Sequence, residues 1–120
     1  MHEASLMQSA LELAAQAARS AGAARIRRIV LRVGPLACVD PAALRFAFEA
    51  LREGTLAEDA VLQIDAPAAR CFCHACGMDF EPQLPVFLCP SCGVVAQHAV
   101  AGAELELASL DLELAEEQPC

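Results

Sequence analysis

Two short cysteine pairs, Cys73-His-Ala-Cys76-Gly and Cys89-Pro-Ser-Cys92-Gly, constrain this 120-residue chain more than any other feature. Each C-x2-C pair brings two sulfurs out of one tight turn, and the 12 residues between the pairs let both turns close on a single tetrahedral ion. The glycine after each second cysteine allows the backbone to turn its amides toward the sulfurs. Four soft thiolates with no water position describe a structural Zn2+ site, with Cys73, Cys76, Cys89 and Cys92 as ligands. The competing arrangement is a loop stapled by disulfides.

Three further cysteines complete the count of seven. An odd number with clustered pairs fits a reducing compartment better than a disulfide framework. Cys71 stands two residues before Cys73 and is an auxiliary candidate for the metal. Cys38, expected near the core, and Cys120, at a loose terminus, are expected to be inert. The start Met1-His2-Glu3-Ala4 lacks the basic and apolar regions of a signal peptide. No apolar run approaches the ~18 residues of a membrane span. The expected location is the cytoplasm, with no membrane partner.

Charge removes another class of function. The formal net charge is −8, from eight Lys+Arg against 16 Asp+Glu. Zinc held by four thiolates adds roughly two more negative charges. Gripping nucleic acid needs a basic surface that displaces counterions, so this ribbon is not expected to bind it. Apolar residues make up 57% of the chain, yet many are Ala, and Trp and Tyr are absent. So thin a core makes a metal that folds its own module important.

The chain order is helix, strand, helix, strand, cysteine module, strand. Leu6, Met7, Ala10, Leu11, Ala14, Ala17 and Ala18 recur at helical spacing from about Glu3 to Ala21, and Gly22 offers a left-handed stop. Ile29, Leu31 and Val33 alternate along a strand over Ile26 to Val33. Asp40-Pro41 caps a second helix that runs to about Glu53, burying Leu44, Ala47, Phe48 and Leu51, and Gly54 closes it. Val61 to Asp65 is a short strand. Glu104 to Leu114 alternates but changes phase near Ala108-Ser109, through a bulge or a change of surroundings. Its acids Glu104, Glu106, Asp111 and Glu113 are placed to face Arg27, Arg28 and Arg32. The fold class is therefore α+β: a small mixed three-stranded sheet with two helices, plus a four-cysteine zinc-ribbon-like module inserted before the last strand. Residues 1–68 and 101–116 form the α/β domain, 69–100 the zinc-binding domain and 117–120 a loose C-terminus.

Met1-His2-Glu3, Ser5-Leu6, Gln8, Val33-Gly34, the Phe48 to Gly54 helix end and Cys89-Pro90-Ser91-Cys92-Gly93 fall in order along the chain. In this the sequence resembles the HypA/HybF nickel metallochaperones of hydrogenase maturation. The resemblance spans essentially the whole chain, and it implies a second metal site that binds Ni2+ through His2 and the adjoining main chain. The Met1 amine, the His2 amide and the His2 imidazole Nδ1 form fused chelate rings, and the Glu3 amide closes a planar four-nitrogen set suited to Ni(II) or Cu(II). The first amides of a helix have no intrahelical acceptor, so recruiting them need not break the ladder. His98 is a second auxiliary candidate, for nickel. His74 is expected to face solvent.

The resemblance further implies a carrier of nickel with no catalysis of its own. It implies a HypB-type GTPase as partner, the hydrogenase large-subunit precursor as client, and urease assembly as a second route. The chain is expected to be a monomer or a homodimer, since a terminal strand can be exchanged between copies. No nucleophile-base pair or phosphate-cradling loop is present to argue otherwise. Two rivals remain. One is a zinc-ribbon interaction or assembly module without nickel; the other is a rubredoxin-like iron protein, whose red colour would give it away.

Overall fold

The computed structural model describes residues 2–115. Met1, Cys120 and the terminus expected over 117–120 lie outside the described residues. The elements run α1 (Glu3–Ser20), β1 (Ala23–Val33), α2 (Pro41–Leu51), β2 (Val61–Asp65), β3 (Arg70–Cys73), β4 (Met78–Phe80), β5 (Ala99–Ala101) and β6 (Leu105–Leu114). They form two three-stranded sheets, ordered β2-β1-β6 and β4-β3-β5. The α+β class is as the sequence implies. The second sheet, inside the cysteine module, is not apparent from periodicity, because strands of three or four residues are too short to show one. No helix among the described residues is long and apolar enough to cross a membrane.

The chain divides into two compact units. One comprises Met1–Leu31, Val39–Ile64 and Glu106–Cys120; the other comprises Arg32–Cys38 and Asp65–Leu105. In the first unit, α1 buries Met7, Leu11, Ala14 and Ala18, a single stripe at helical spacing. The helix packs against α2, whose buried residues are Leu44, Ala47 and Phe48, while Leu51 is half-buried. Alanines on both stripes let the two backbones approach. Asp40 caps α2 by accepting from the Ala42 amide at 3.0 Å, with Pro41 at the first helical position. Past the helix, Arg52 acts as a clasp. Its guanidinium lies 4.6 Å from the Phe48 ring centroid and donates to the carbonyls of Glu58 and Ala60, each at 2.7 Å.

β1 begins at Ala23, earlier than its apolar alternation suggests, and buries Ile26 before Ile29, Leu31 and Val33. Its buried side therefore changes at Arg27-Arg28. β6 changes side as well: Leu107, Leu110 and Leu112 are half-buried and Ala108-Ser109 are both exposed. The Ala115 amide bonds to the Gly22 carbonyl, and the Gly34 amide to the Glu104 carbonyl, so β6 runs antiparallel to β1. From Gly22 to Gly34 the chain advances 12 residues while from Glu104 to Ala115 it advances 11, so the register slips by one residue between the two bonds, as a β-bulge does. The expected ion pairs form in part: Glu113 meets Arg25 and Arg27 at 2.7 Å, and Asp111 meets Arg28 at 3.4 Å. These groups are well exposed, and each pair is worth about 0.2–1 kcal/mol.

The second unit is pinned by glycine. The Gly34 and Leu36 amides bond to the Glu104 and Gly102 carbonyls at 2.8 and 2.7 Å. A Cβ on Gly34 would stand 2.0 Å from the Gly102 oxygen, and one on Gly102 (φ +108°) would stand 2.6 Å from the Ala69 Cα. Three chain segments thus touch backbone to backbone. Gly22, by contrast, has φ +74° and open space around it. Gly22→Ala should cost roughly 1–2 kcal/mol for the left-handed conformation alone. Gly34→Ala must displace backbone and should cost more than about 3 kcal/mol. Urea unfolding of the two variants checks the order; equal losses would mean that the close approach is not a constraint.

Candidate metal centre

The cysteine pairs occupy the turns of two hairpins. β3 pairs antiparallel with β4 in the register Cys71–Phe80, Phe72–Asp79 and Cys73–Met78, so Cys73 to Gly77 must turn the chain. In the second hairpin Leu88 bridges Val95, and the Cys89 amide bonds to the Val94 carbonyl at 2.9 Å. The two turns share one construction. The Gly77 amide donates to the Cys73 carbonyl at 2.7 Å and the Gly93 amide to the Cys89 carbonyl at 2.8 Å. Both glycines are left-handed, with φ +70° and +75°. The residue after each second cysteine therefore does what its identity suggests.

These turns converge four sulfurs. The Sγ atoms of Cys73, Cys76, Cys89 and Cys92 all lie within 4.8 Å of one another. Cys73 is 3.5 Å from Cys92, and Cys76 is 3.9 Å from Cys89. A tetrahedron of Zn–S bonds of about 2.3 Å has edges of about 3.8 Å, so the set fits one ion. None of the four is in a disulfide. Cys73 and Cys89 are buried, while Cys76 and Cys92 lie toward solvent. Beneath them Cys71, Cys73, Phe80, Cys89 and Ala96 form a small apolar cluster, joined by Phe87, Val94 and Ala99.

The electrostatics call for a cation. Backbone amides, that of Ser91 foremost, point at the Cys89 sulfur and bring its thiol down to about 7. Crowding by the sulfurs of Cys92, Cys73 and Cys89, in that order, pushes the Cys76 thiol up to about 12. One thiolate forms readily and a further one beside it does not. A divalent ion removes the conflict by compensating all four. That amides turn toward the sulfurs is what the glycines suggest; that the Ser91 amide is foremost on Cys89 is read from the structure.

The other candidates stay apart. Cys71 is fully buried at the middle of the module and is not part of the four-sulfur group. It faces the same side of β3 as Cys73, but the strand carries its sulfur away from the turn. Cys38 is exposed, with φ +58°, and not near the core: the chain turns sharply there between β1 and the cap of α2. His74 and His98 are both exposed, outside the sulfur group. At the other end His2 is exposed and heads α1, with Glu3 half-buried after it. The His2 carbonyl accepts from the Leu6 amide at 2.8 Å, and its imidazole makes no capping bond.

Residues 1–112 match a family model described as hydrogenase/urease nickel incorporation, metallochaperone, HypA. The chain belongs to the HypA family. A hydrogenase maturation factor HypA of Chlorobium limicola is 42% identical over 113 residues, covering 94% of this chain and 97% of the relative. Its counterpart in a Picosynechococcus species is 39% identical over 112 residues, 93% and 99% of the two chains. The solution structure of the Ni metallochaperone HypA from Helicobacter pylori superposes with a TM-score of 0.70 at 30% identity, over 96% of this chain and all of that one. Family and fold agree on nickel incorporation in hydrogenase maturation.

Replacing a sulfur of the group should separate ligands from bystanders. Cys92→Ser is expected to lose most bound metal, and Cys71→Ser to keep full metal content while destabilising the module, as measured by elemental analysis and thermal unfolding. Retention of metal by Cys92→Ser would mean another donor completes the site. Ligands bind deprotonated, so chelator competition should show metal affinity falling as pH drops through about 7, where Cys89 gains its proton.

Proposed function

We propose that this protein takes up Ni2+ at its N-terminus and helps to insert it into the large-subunit precursor of [NiFe]-hydrogenase. In this reading Zn2+ occupies the four-cysteine site as a structural ion, cross-linking the two hairpins. The observation that carries the nickel assignment is the position of His2. It is exposed at the head of α1, and its carbonyl is engaged by the helix while its imidazole makes no cap. The Met1 amine, the His2 amide and imidazole, and the Glu3 amide together offer nitrogen donors in fused rings, the set that suits square-planar Ni(II). Helix-start amides have no intrahelical acceptor to surrender.

Delivery follows from exposure. A cargo site must be reachable by a recipient, and a terminal chelate meets that need better than a buried one. The protein then needs no catalysis, and nucleotide hydrolysis falls to a HypB-type GTPase partner in the cytoplasm, where the free thiols persist. Urease is served where the organism makes one.

Three proteins test the site by nickel titration calorimetry: the untagged chain, His2→Ala, and a version with residues added before Met1. The untagged chain is expected to bind one ion, and both variants to bind at least about tenfold more weakly. Equal stoichiometry and affinity in all three would remove the N-terminus from the function. Zinc is checked in the same preparation, since four thiolates holding iron would colour it red.

A further inference from the structure

The four sulfurs are placed to bond to one another as well as to an ion. Cys73 and Cys92 stand 3.5 Å apart, and Cys76 and Cys89 stand 3.9 Å apart. Each couple joins a sulfur of the β3–β4 turn to one of the second hairpin, and a buried cysteine to an exposed one. Each sulfur need move by less than about 1 Å to reach an S–S bond of about 2.0 Å. The exposed members, Cys76 and Cys92, follow Ala75 and Ser91, which are small and exposed themselves. An oxidant arriving from solvent therefore meets one sulfur of each couple, with its partner directly behind it.

We propose that the four-cysteine site is a redox switch, in which peroxide converts the thiolates to the disulfides Cys73–Cys92 and Cys76–Cys89 and so releases Zn2+. The inference rests on the zinc reading of the site and is independent of the nickel assignment. An exposed thiolate takes an oxygen from hydrogen peroxide, which leaves a sulfenic acid and one hydroxide. Its buried partner then attacks that sulfur. The S–S bond forms, the S–O bond breaks and a second hydroxide departs. Over both couples, four thiolates and two peroxides give two disulfides and four hydroxides, with four electrons passing from sulfur to oxygen. No thiolate remains to hold the cation.

Pairing across the hairpins is favoured over pairing within one turn. The cross bonds link residues 19 and 13 positions apart, against three within a C-x2-C turn. Closing the longer loop removes more freedom from the unfolded chain. The cross bonds also keep both hairpins tied over the apolar cluster they share, taking over the tie that the ion provided. Cys71 stays outside this exchange. It is fully buried, and two positions along a strand span about 6.6 Å, beyond the Cβ separation of about 4 Å that a disulfide needs.

The test uses the full chain purified under reducing conditions, with hydrogen peroxide as the oxidant. Peroxide is expected to release the whole equivalent of zinc, read with a colorimetric indicator. Peptide mass mapping after alkylation should find Cys73–Cys92 and Cys76–Cys89, with Cys71 still a free thiol. Dithiothreitol with fresh Zn2+ should restore the metal. Cys38→Ser removes an exposed thiol outside the group, and it should change none of this. Zinc retained under excess peroxide overturns the switch and leaves the zinc reading in place. Bonds within each turn, bonds between two chains, or sulfonic acids without disulfides overturn it as well. Absence of zinc from the reduced protein overturns both readings.

Discussion

Four sulfurs gathered within 4.8 Å create the need around which the cysteine unit is organised. Bare, they set thiolate against thiolate; compensated by a divalent ion, they become the strongest cross-link in that part of the chain. The apolar cluster beneath is small, and two of its five buried members, Cys73 and Cys89, are themselves in the sulfur group. Core and metal site are one object here. Binding a structural zinc contributes roughly 10–16 kcal/mol in peptides that fold around it, far more than burying Phe80 and a few alanines. The short strands β4 and β5 both pair with β3, whose end carries Cys73 into the sulfur group.

The other unit relies on ordinary packing, and that is why so much of it was legible. Periodicity located α1 and α2, since each buries one stripe and exposes the rest. Asp40-Pro41 and Gly22 marked ends because a cap and a left-handed residue have local chemical causes. The leucine phase change in β6 could be read as well. Its meaning could not: only the bonds to β1 show that the register between the two strands slips by one residue. The glycine contact of Gly34 with Gly102 joins residues far apart in sequence, so no local pattern carries it. Cys38 was misplaced for a similar reason, as a lone apolar-looking thiol gives no sign of a left-handed turn. The four-sulfur group was legible from spacing alone. Which amide meets which sulfur, and the exclusion of Cys71, required the structure.

The two candidate metal positions differ in the physical property that matters for their roles. The sulfur group has two ligands buried, amides aimed at a sulfur and an apolar floor, which together oppose exchange. His2 sits exposed at a helix start with backbone donors beside it, which favours exchange. A protein that carries one ion and is built around another needs this contrast, or the structural site would compete for the cargo. Ligand type adds to it, since soft thiolates suit Zn2+ while amine, amide and imidazole nitrogens suit Ni2+.

The distribution of charge completes the division of labour on the proposed reading. A formal charge of −8 raises the local concentration of divalent cations, which helps a carrier of only moderate affinity. The same charge would repel an acidic client and would be screened unpredictably across a wet contact.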